Sequence, residues 1–514
     1  MRHGKHLPPD TSGRGKGYQA PVPVRRCGLG RVTAPTPGAE EWYPQVTFLD
    51  RSHSVAGPGF SRWLVPPAAL CIHLCIGQAY AFSVFNKPLA QLLCSAAQAC
   101  PPATEKAIST TPGDWSITDV GWIFNLAIVF LGLSAAVFGR WVESAGPRKA
   151  MFAAACLFCG GLIVSGLGVM AHNLPLIFLG YGVIGGCGLG IGYISPVSTL
   201  IKWFPDRPGL ATGTAIMGFG GGALIGAPLA VGLMKYYSSP TSNGVAPTMI
   251  TMAVIYFVYM IVGALLVRLP ADGWRPAGWT PPTAEVAAAR MMTTRNVVVG
   301  DAVKTPQFWL LWAVLFLNVS AGIGVLGQAS LMIQEVLGVS VAAAAGFVGL
   351  LSLFNMGGRI FWASTSDTIG RKQTYMIFFA LGAVLYALTP SLGHWHAIVL
   401  FVLAYGIILS MYGGGFATIP AYLRDMFGTV QVGAIHGVLL TAWSAAGVAG
   451  PLILNKLRDY ELANGVAKAD AYSMTMYIMA GLLVIGFICN WLVRPVADRH
   501  YMPTTPTVGG ELIA

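Results

Sequence analysis

Twelve apolar segments, each long enough to cross a lipid bilayer, restrict what this 514-residue chain can fold into. A membrane-spanning helix needs ~20 consecutive, mostly apolar residues. Because hydrocarbon offers no hydrogen-bond partners, such segments satisfy their backbone groups internally as α-helices. We therefore predict an all-α polytopic membrane protein with twelve transmembrane helices. The predicted spans cover residues 63–92, 117–140, 150–171, 175–201, 209–235, 248–269, 307–333, 341–363, 374–393, 396–423, 431–455 and 472–494.

The composition supports this class and excludes others. Only 10% of the residues are charged and 55% are hydrophobic, whereas soluble domains carry about 25% charged residues. The formal net charge of +11 is spread over loops and the N-terminal tail, without the basic and aromatic stripe that tracks a phosphate backbone. We therefore predict the lipid bilayer as the surroundings of the chain, with no nucleic-acid partner and no cofactor.

The nine cysteines form no metal-binding pattern, so we predict no metal site. Cys156 and Cys159 have the spacing of a redox pair, but they lie within an apolar span, where small packing residues are the more common explanation. Cys94 and Cys100 share one loop, and they would form a disulfide bond if that loop faced an oxidising compartment.

A long polar stretch after the sixth span divides the spans into two sets of six. The distribution of Lys and Arg predicts the orientation, because cytoplasmic loops are enriched in these residues. With both termini in the cytoplasm, 24 of the 31 Lys and Arg residues lie inside and six lie outside. The predicted parts are a disordered cytoplasmic N-terminal tail (1–61), an N-terminal six-helix bundle (62–269), a central cytoplasmic loop (270–305), a C-terminal six-helix bundle (306–495) and a cytoplasmic C-terminal tail (496–514).

The two halves repeat one another at a spacing of 224 residues. Six helices per unit is an even number, so both copies enter the membrane from the same side. We predict two pseudo-symmetric bundles about an axis along the membrane normal, with a substrate site near the midplane between them. The repeat-related pairs are Gly146 and Gly370, Pro196 and Pro420, Gly209 and Gly433, Gly213 and Gly437, and Gly226 and Gly450.

A charged motif follows the second span and recurs after the eighth. Glu143 precedes a glycine turn and Arg148 in the first copy, and Asp367 precedes a glycine turn and Arg371 in the second. Such acids and cations can pair with each other or with a neighbouring helix end, and the network can hold one conformation of two moving bundles. We predict that these four residues form a conformational latch; a plain positive-inside turn is the alternative.

Arg359 lies inside the eighth predicted span, where a guanidinium is costly and stays charged. Gly357 and Gly358 precede it and are expected to clear space beside the guanidinium, and no acid lies elsewhere in the span cores. We predict that Arg359 binds an anion; an arginine that reaches the membrane surface is the alternative. Asn355, one turn earlier on the same face, would contact the anion or orient the guanidinium. A hydrogen bond between helices is its alternative role.

Further candidates for the substrate cavity are aromatic or titratable side chains within the spans. Ordinary helix packing is the alternative for each aromatic residue, although tyrosine hydroxyls can also contact a carboxylate. His73 and His436 are candidates for proton coupling because histidine titrates near neutral pH; a hydrogen bond to a neighbouring helix is the alternative. The predicted cavity residues are Tyr80, Tyr193, Tyr412, Phe416 and Trp443.

Twelve spans in two halves with a central loop closely resemble the major facilitator superfamily, over roughly residues 62–495. Four short stretches are similar, as a set, to the oxalate/formate antiporter family and its relatives, the monocarboxylate porters. They read GQAYAFSVF from Gly77, KWFPDR from Lys202, GFGGGA from Gly218 and LTAWS from Leu440.

The resemblance implies a secondary transporter of small organic anions that works by alternating access. In those families an arginine on the eighth helix binds the substrate carboxylate, and Arg359 is the matching position. Some monocarboxylate porters carry a proton-relaying aspartate where this chain has Asn355. The oxalate antiporter adds a lysine on helix 11, but this chain has Trp443 there and no lysine before Lys456. One buried cation suits a single carboxylate, such as lactate, pyruvate or formate, better than oxalate.

Two other transport functions stay open: an exchanger of the oxalate/formate type, and efflux of larger amphipathic compounds. The motifs of intramembrane enzymes, such as H-E-x-x-H or a serine–lysine pair, are absent from the spans, so we predict no enzymatic activity. We expect a monomeric carrier in a bacterial inner membrane, with both termini cytoplasmic. It would bind a small carboxylate together with a coupling proton or a counter-anion.

Overall fold

The structure, a computed structural model, describes residues 48–93 and 113–503. In those ranges the chain forms twelve long helices, numbered here α1 to α12. Eleven are long and apolar enough to span a membrane, and α8, which carries Asn355 and Arg359, completes the twelve. The helices are α1 (Arg62–Ala81, continued by Ser83–Leu89), α2 (Ile117–Ala145), α3 (Pro147–Met170), α4 (Leu174–Trp203), α5 (Pro208–Tyr237), α6 (Val245–Leu266), α7 (Pro306–Leu337), α8 (Val341–Ile369), α9 (Arg371–His394), α10 (Ile398–Phe427), α11 (Val432–Ala463) and α12 (Ser473–Leu492).

The helix bounds repeat at the predicted spacing. Helices α2 and α8 each run for 29 residues and begin after Ser116 and Ser340, which are 224 residues apart. Both serines cap their helix by accepting a hydrogen bond from the backbone N–H of the third following residue, which satisfies a free donor of the first turn. The pairs α3 and α9, α4 and α10, and α5 and α11 also begin 224 residues apart. The predicted all-α fold and its internal repeat are confirmed.

Glycine is required at the turns that join α2 to α3 and α8 to α9. Gly146 and Gly370 have φ angles of 83° and 94°, a region that residues with a Cβ rarely adopt. This backbone geometry stops each long helix and starts the next one in the opposite direction. Both repeat-related positions therefore require glycine for the same structural reason.

Other repeat-related glycines let the two halves approach closely. A Cβ at Gly213 of α5 would lie 2.7 Å from the carbonyl oxygen of Arg359 on α8. Its counterpart, Gly437 of α11, lies too close to the carbonyl of Ala135 on α2 to accept a Cβ. The halves thus meet along two equivalent seams, α5 with α8 and α2 with α11, where small residues allow backbone contact.

Residues 48–61, which belong to the predicted N-terminal tail, make backbone contacts with the rest of the chain. A short 3-10 helix covers Arg51–Ser54. The N–H of Ala56 donates to the carbonyl of Leu269 over 2.8 Å, and the N–H of Leu269 donates to the carbonyl of Ser54 over 2.7 Å. The segment is ordered against the first bundle because its backbone groups find partners there. Positions 1–47 lie outside the described residues.

The predicted central loop contains two short helices, Ala284–Ala289 and Val299–Ala302. Its backbone also bonds to the end of α10, because the N–H of Thr293 donates to the carbonyl of Asp425 over 2.8 Å. The division into tails, bundles and loop stays a prediction. Cys94 and Cys100, whose pairing the sequence leaves open, lie outside the described residues, as do positions 504–514.

Candidate functional site

In each half, a carboxylate near the end of one helix contacts the start of a helix in the other half. Asp367, near the end of α8, accepts hydrogen bonds from the N–H groups of Gly209 and Leu210, both over 2.9 Å, at the start of α5. Glu143, near the end of α2, accepts one from the N–H of Gly433 over 3.0 Å, at the start of α11. The free N–H groups and the dipole of a helix start stabilise a carboxylate. We call this end of the molecule the latch end.

Arg371 extends the contact of the second half. Its guanidinium is 5% exposed and pairs with Asp367 over 2.6 Å and with Asp425 over 3.1 Å. Arg424 pairs with the other oxygen of Asp425 over 2.9 Å and donates to the carbonyl of Pro205 in the first half over 3.3 Å. Asp367 and Arg371 therefore belong to one network that joins the halves.

Arg148 lies apart from the other predicted latch residues. Its buried guanidinium lies 4.4 Å from the ring centroid of Phe48 and donates to the Phe48 carbonyl over 2.9 Å. Glu143 pairs instead with Lys202 of α4 over 2.5 Å. The first half thus contacts α11 through Glu143, which Lys202 holds from α4, whereas Arg148 holds the N-terminal segment.

Arg359 is fully buried in the middle of α8, away from any surface. Its Nη1 donates to the carbonyl of Ile216 on α5 over 2.9 Å, and its Nε donates to Oδ1 of Asn355 over 3.3 Å. Its Nη2 has no hydrogen-bond partner among the described residues, and none of the ion pairs they form includes Arg359. The side chain is a buried cation with one donor group left for a further partner.

Asn355 lies beside Arg359, as predicted from their spacing. Its Nδ2 donates to the carbonyl of Leu409 on α10 over 3.4 Å, while its Oδ1 accepts from the guanidinium. Asn355 thus orients Arg359 and links α8 to α10 at the same time.

Gly357 and Gly358 do not clear space beside the guanidinium, so this expectation was wrong. A Cβ at Gly358 would lie 2.6 Å from the Cα of Ser410 on α10, and a Cβ at Gly357 would meet nothing within 4 Å. Residues one or two places from an arginine on a helix do not share its face. The space comes from neighbouring helices, because a Cβ at Gly220 of α5 would lie 2.8 Å from Nε and one at Gly413 of α10 would lie 3.2 Å from Cγ.

These two adjacent glycines provide a matched pair of substitutions. Gly358→Ala is expected to force α8 away from α10, and overpacking of this kind costs about 1–3 kcal/mol. Gly357→Ala is expected to be neutral or slightly stabilising, because alanine favours helix by about 0.8–1.0 kcal/mol over glycine. Thermal unfolding of the purified proteins in detergent measures both, and equal melting temperatures for the two variants would contradict the close contact at Gly358.

An aromatic cluster surrounds the buried arginine. The ring of Phe416 on α10 lies 5.6 Å from the guanidinium carbon and 4.8 Å from the ring of Trp443 on α11. Tyr193 of α4 contacts Trp443 at a centroid distance of 6.0 Å. Phe219 of α5 lies between them, 6.0 Å from the guanidinium carbon and 5.5 Å from Trp443. Three predicted cavity residues are thus brought together from three helices.

Phe219 is absent from the predicted cavity residues, although it belongs to the stretch starting at Gly218 on which the resemblance rests. Its signal is a large ring between glycines, which leave room for neighbouring helices on both sides. The carbonyl of Ile216 was also missed. Side-chain patterns contain no signal for a backbone acceptor of this kind.

Tyr80 and Tyr412 join the two halves. Their hydroxyl oxygens lie 3.3 Å apart, one on α1 and the other on α10. The ring of Tyr80 also contacts Phe219 at 5.0 Å and Trp443 at 6.5 Å. Both predicted tyrosines therefore border the same aromatic cluster.

Several buried polar atoms in this cluster lack partners among the described residues. A buried polar group without a hydrogen bond is costly, so such atoms would be stabilised by a polar ligand. The atoms without partners are Nη2 of Arg359, the hydroxyl of Tyr193, Nε1 of Trp443 and Nε2 of His436.

Both predicted histidines also contact the cluster. The rings of His73 and His436 lie 5.4 and 5.8 Å from that of Tyr193.

Two repeat-related sets of six helices, which cap each other's helix starts and enclose a buried cation, are typical of membrane transporters. The sequence profile of the Major Facilitator Superfamily matches residues 67–451, and the chain belongs to this family. The protein is therefore a multi-pass membrane transporter and not an enzyme, and the predicted superfamily is confirmed.

Three known proteins illustrate the similarity. The oxalate:formate antiporter of Oxalobacter formigenes is 29% identical over 337 residues, which cover 65% of this chain and 75% of that protein. Apicoplast pyruvate carrier 1 of Toxoplasma gondii is 24% identical over 448 residues, covering 77% and 79%. The crystal structure of the transporter FucP in the outward conformation has a TM-score of 0.56 at 15% identity, over 85% of this chain and 100% of that one. The predicted resemblance to the oxalate/formate antiporters is thus also confirmed.

Proposed function

We propose that this protein is a secondary active transporter of small organic anions, with monocarboxylates of the lactate, pyruvate or formate type as its substrates. Arg359 binds the substrate carboxylate near the middle of the membrane, and the two halves move around it. The observation that carries this proposal is the fully buried guanidinium whose Nη2 has no partner among the described residues. A permanent charge in such a place needs an anion, and no described carboxylate supplies one.

The surroundings of Arg359 favour one carboxylate over two. The other polar atoms without partners belong to Tyr193, Trp443 and His436, and of these only the histidine can become a cation. A second carboxylate of oxalate would therefore leave water without a fixed cationic partner, which is costly. The rings of Phe219 and Phe416 fit the short apolar part of a monocarboxylate.

The relatives named as an oxalate:formate antiporter and as a pyruvate carrier support the same class of substrate. The Lys and Arg count favours a latch end and chain termini in the cytoplasm, and we place the carrier in a bacterial inner membrane as a monomer. Under this proposal the structure represents a conformation that is closed towards the cytoplasm.

Competition in proteoliposomes tests the proposal. Uptake of radiolabelled formate, lactate, pyruvate and oxalate is measured with the purified full chain and with empty liposomes as the control. We expect uptake of monocarboxylates and inhibition by unlabelled acids. Lactamide and pyruvamide keep the shape but lose the charge, and a hydrogen bond to a charged group contributes about 1.5–3 kcal/mol. We therefore expect at least about tenfold weaker inhibition by the amides, at 1.4 kcal/mol per factor of ten.

Inhibition by the amides as strong as that by the acids would contradict a carboxylate site at Arg359. Transport of oxalate in preference to the monocarboxylates would favour an exchanger of the oxalate/formate type. If larger amphipathic compounds were transported and no small acid were, the protein would be an efflux carrier instead.

A further inference from the structure

His73 on α1 lies between two backbone carbonyl oxygens. The residue is fully buried, its Nδ1 lies 2.7 Å from the carbonyl oxygen of Ala215 on α5, and its Nε2 lies 3.2 Å from that of Tyr193 on α4. A neutral imidazole has only one N–H, so it satisfies one carbonyl and turns a lone pair towards the other. An imidazolium donates to both. The two acceptors therefore form a binding place for a proton on His73.

The same turn of α5 also holds Arg359. Its Nη1 donates to the carbonyl of Ile216, the residue that directly follows Ala215. The histidine of α1 and the arginine of α8 thus bind consecutive carbonyls of one helix. Two positive charges this close in a buried site oppose one another. An anion on Arg359 removes that opposition, so the two sites are linked electrostatically.

The other groups that face His73 supply no competing negative charge. From α4 comes the neutral ring of Tyr193, at a centroid distance of 5.4 Å, and from α5 comes Gly218, where a Cβ would lie 3.0 Å from the Cβ of His73. His436 of α11 lies on Tyr193, at 5.8 Å between ring centroids. Among the described residues, no ion pair involves His73. Arg359 is therefore the charged side chain, among the described residues, that acts on a proton at His73.

We propose that His73 carries the coupling proton of a proton–anion symport. This inference rests on the proposed function, in which Arg359 binds the carboxylate. One proton from water binds the free imidazole nitrogen and one monocarboxylate binds Arg359, and both leave to water on the other side, so the pair moves without net charge. By linkage, each ligand raises the affinity for the other by the same factor, and couplings of this kind are typically about 5–150-fold.

Two transport measurements separate the proton site from the anion site. Exchange of labelled for unlabelled pyruvate at equal pH needs no net proton movement, whereas accumulation of pyruvate driven by an alkaline interior does. We expect the wild type to perform both. His73→Gln, which keeps a donor but binds no proton, is expected to retain exchange and to lose accumulation. His396→Gln changes an exposed loop histidine and is expected to keep both activities.

The pH dependence of pyruvate affinity provides the second readout. In exchange assays over a series of decreasing pH values, wild-type affinity for pyruvate is expected to rise by about 5–150-fold in total. His73→Gln is expected to lack this rise. If His73→Gln is inactive in both assays, a third measurement tests the proposal: the number of protons that the wild-type protein takes up in detergent when pyruvate is added. One proton per bound anion would support the proposal, and none would overturn it.

Accumulation by His73→Gln at the wild-type level would overturn the inference, as would loss of accumulation in His436→Gln alone. If the wild type exchanges pyruvate through Arg359 but a pH gradient drives no accumulation, only the inference at His73 fails. If no acid is transported in any assay, the proposed function fails as well.

Discussion

Replacement of Arg359 by lysine is expected to reduce anion transport by about 10- to 100-fold. Lysine keeps the charge but has one compact ammonium group in place of the planar fork. The ammonium group can donate to the Ile216 carbonyl, as Nη1 of Arg359 does. A lysine in that position has no second nitrogen to donate a hydrogen bond to the substrate, as Nη2 can. Loss of one charge-assisted hydrogen bond costs about 1.5–3 kcal/mol, and each 1.4 kcal/mol is a factor of ten in affinity.

Uptake and exchange of labelled pyruvate by proteoliposomes measure this effect, together with binding in detergent. Arg359→Gln removes the charge altogether and is expected to abolish both activities. Arg494→Lys makes the same chemical change after the end of α12 and is expected to behave like the wild type. Wild-type transport by Arg359→Lys would remove the role proposed for this residue.

Asp367→Asn is expected to open the latch end. The carboxylate accepts two backbone hydrogen bonds from the start of α5 and pairs with Arg371. Removing one partner from a buried charged network costs about 3–5 kcal/mol. The pair with Arg371 lies within the second half, whereas the two backbone hydrogen bonds exist only while α8 touches α5. The closed conformation alone therefore loses those two bonds, each contributing about 1.5–3 kcal/mol, and its population relative to the open one falls by about 100-fold or more. Transport is expected to slow because both conformations must be visited in each cycle.

Spin labels at Arg207 and Thr368, two exposed positions on opposite halves of the latch end, measure the opening. In a cysteine-free background that carries only these labels, Asp367→Asn is expected to lengthen the distance between them. Asp459→Asn, whose carboxylate is 73% exposed, is the matched control. Glu143→Gln is expected to have a smaller effect, because Glu143 accepts only one backbone hydrogen bond. An unchanged distance and transport rate in Asp367→Asn would exclude the latch.

Much of the fold could be predicted because the bilayer imposes local requirements on the sequence. Span length and the absence of charge are visible residue by residue, and glycine marks the turns at Gly146 and Gly370 because their φ angles are positive. The backbone contacts of residues 48–61 could not be predicted, for the opposite reason. These contacts depend on backbone partners such as Leu269, more than 200 positions away in the chain.

The sequence predicted a buried arginine with aromatic neighbours, but it predicted only some of the residues around that arginine. Arg359 and Asn355 were identified because a charge and its neighbour on the same helix face are local features. Arg148 was placed in the latch by its motif, yet the structure pairs it with Phe48. The prediction did not include Phe219, although its place between Gly218 and Gly220 is a local signal of close helix packing.

The sequence by itself determined that this is a twelve-helix membrane protein with two repeated halves and one buried cation in the eighth span. These properties follow from length, polarity and spacing along the chain. Only the tertiary structure decided that Gly220 and Gly413 clear space around the guanidinium, while Gly358 packs against α10. It also decided that His73 and Arg359 share one turn of α5. Helices that are apolar on every face carry no pattern to set their rotation, so the packed neighbours alone determine which atoms meet.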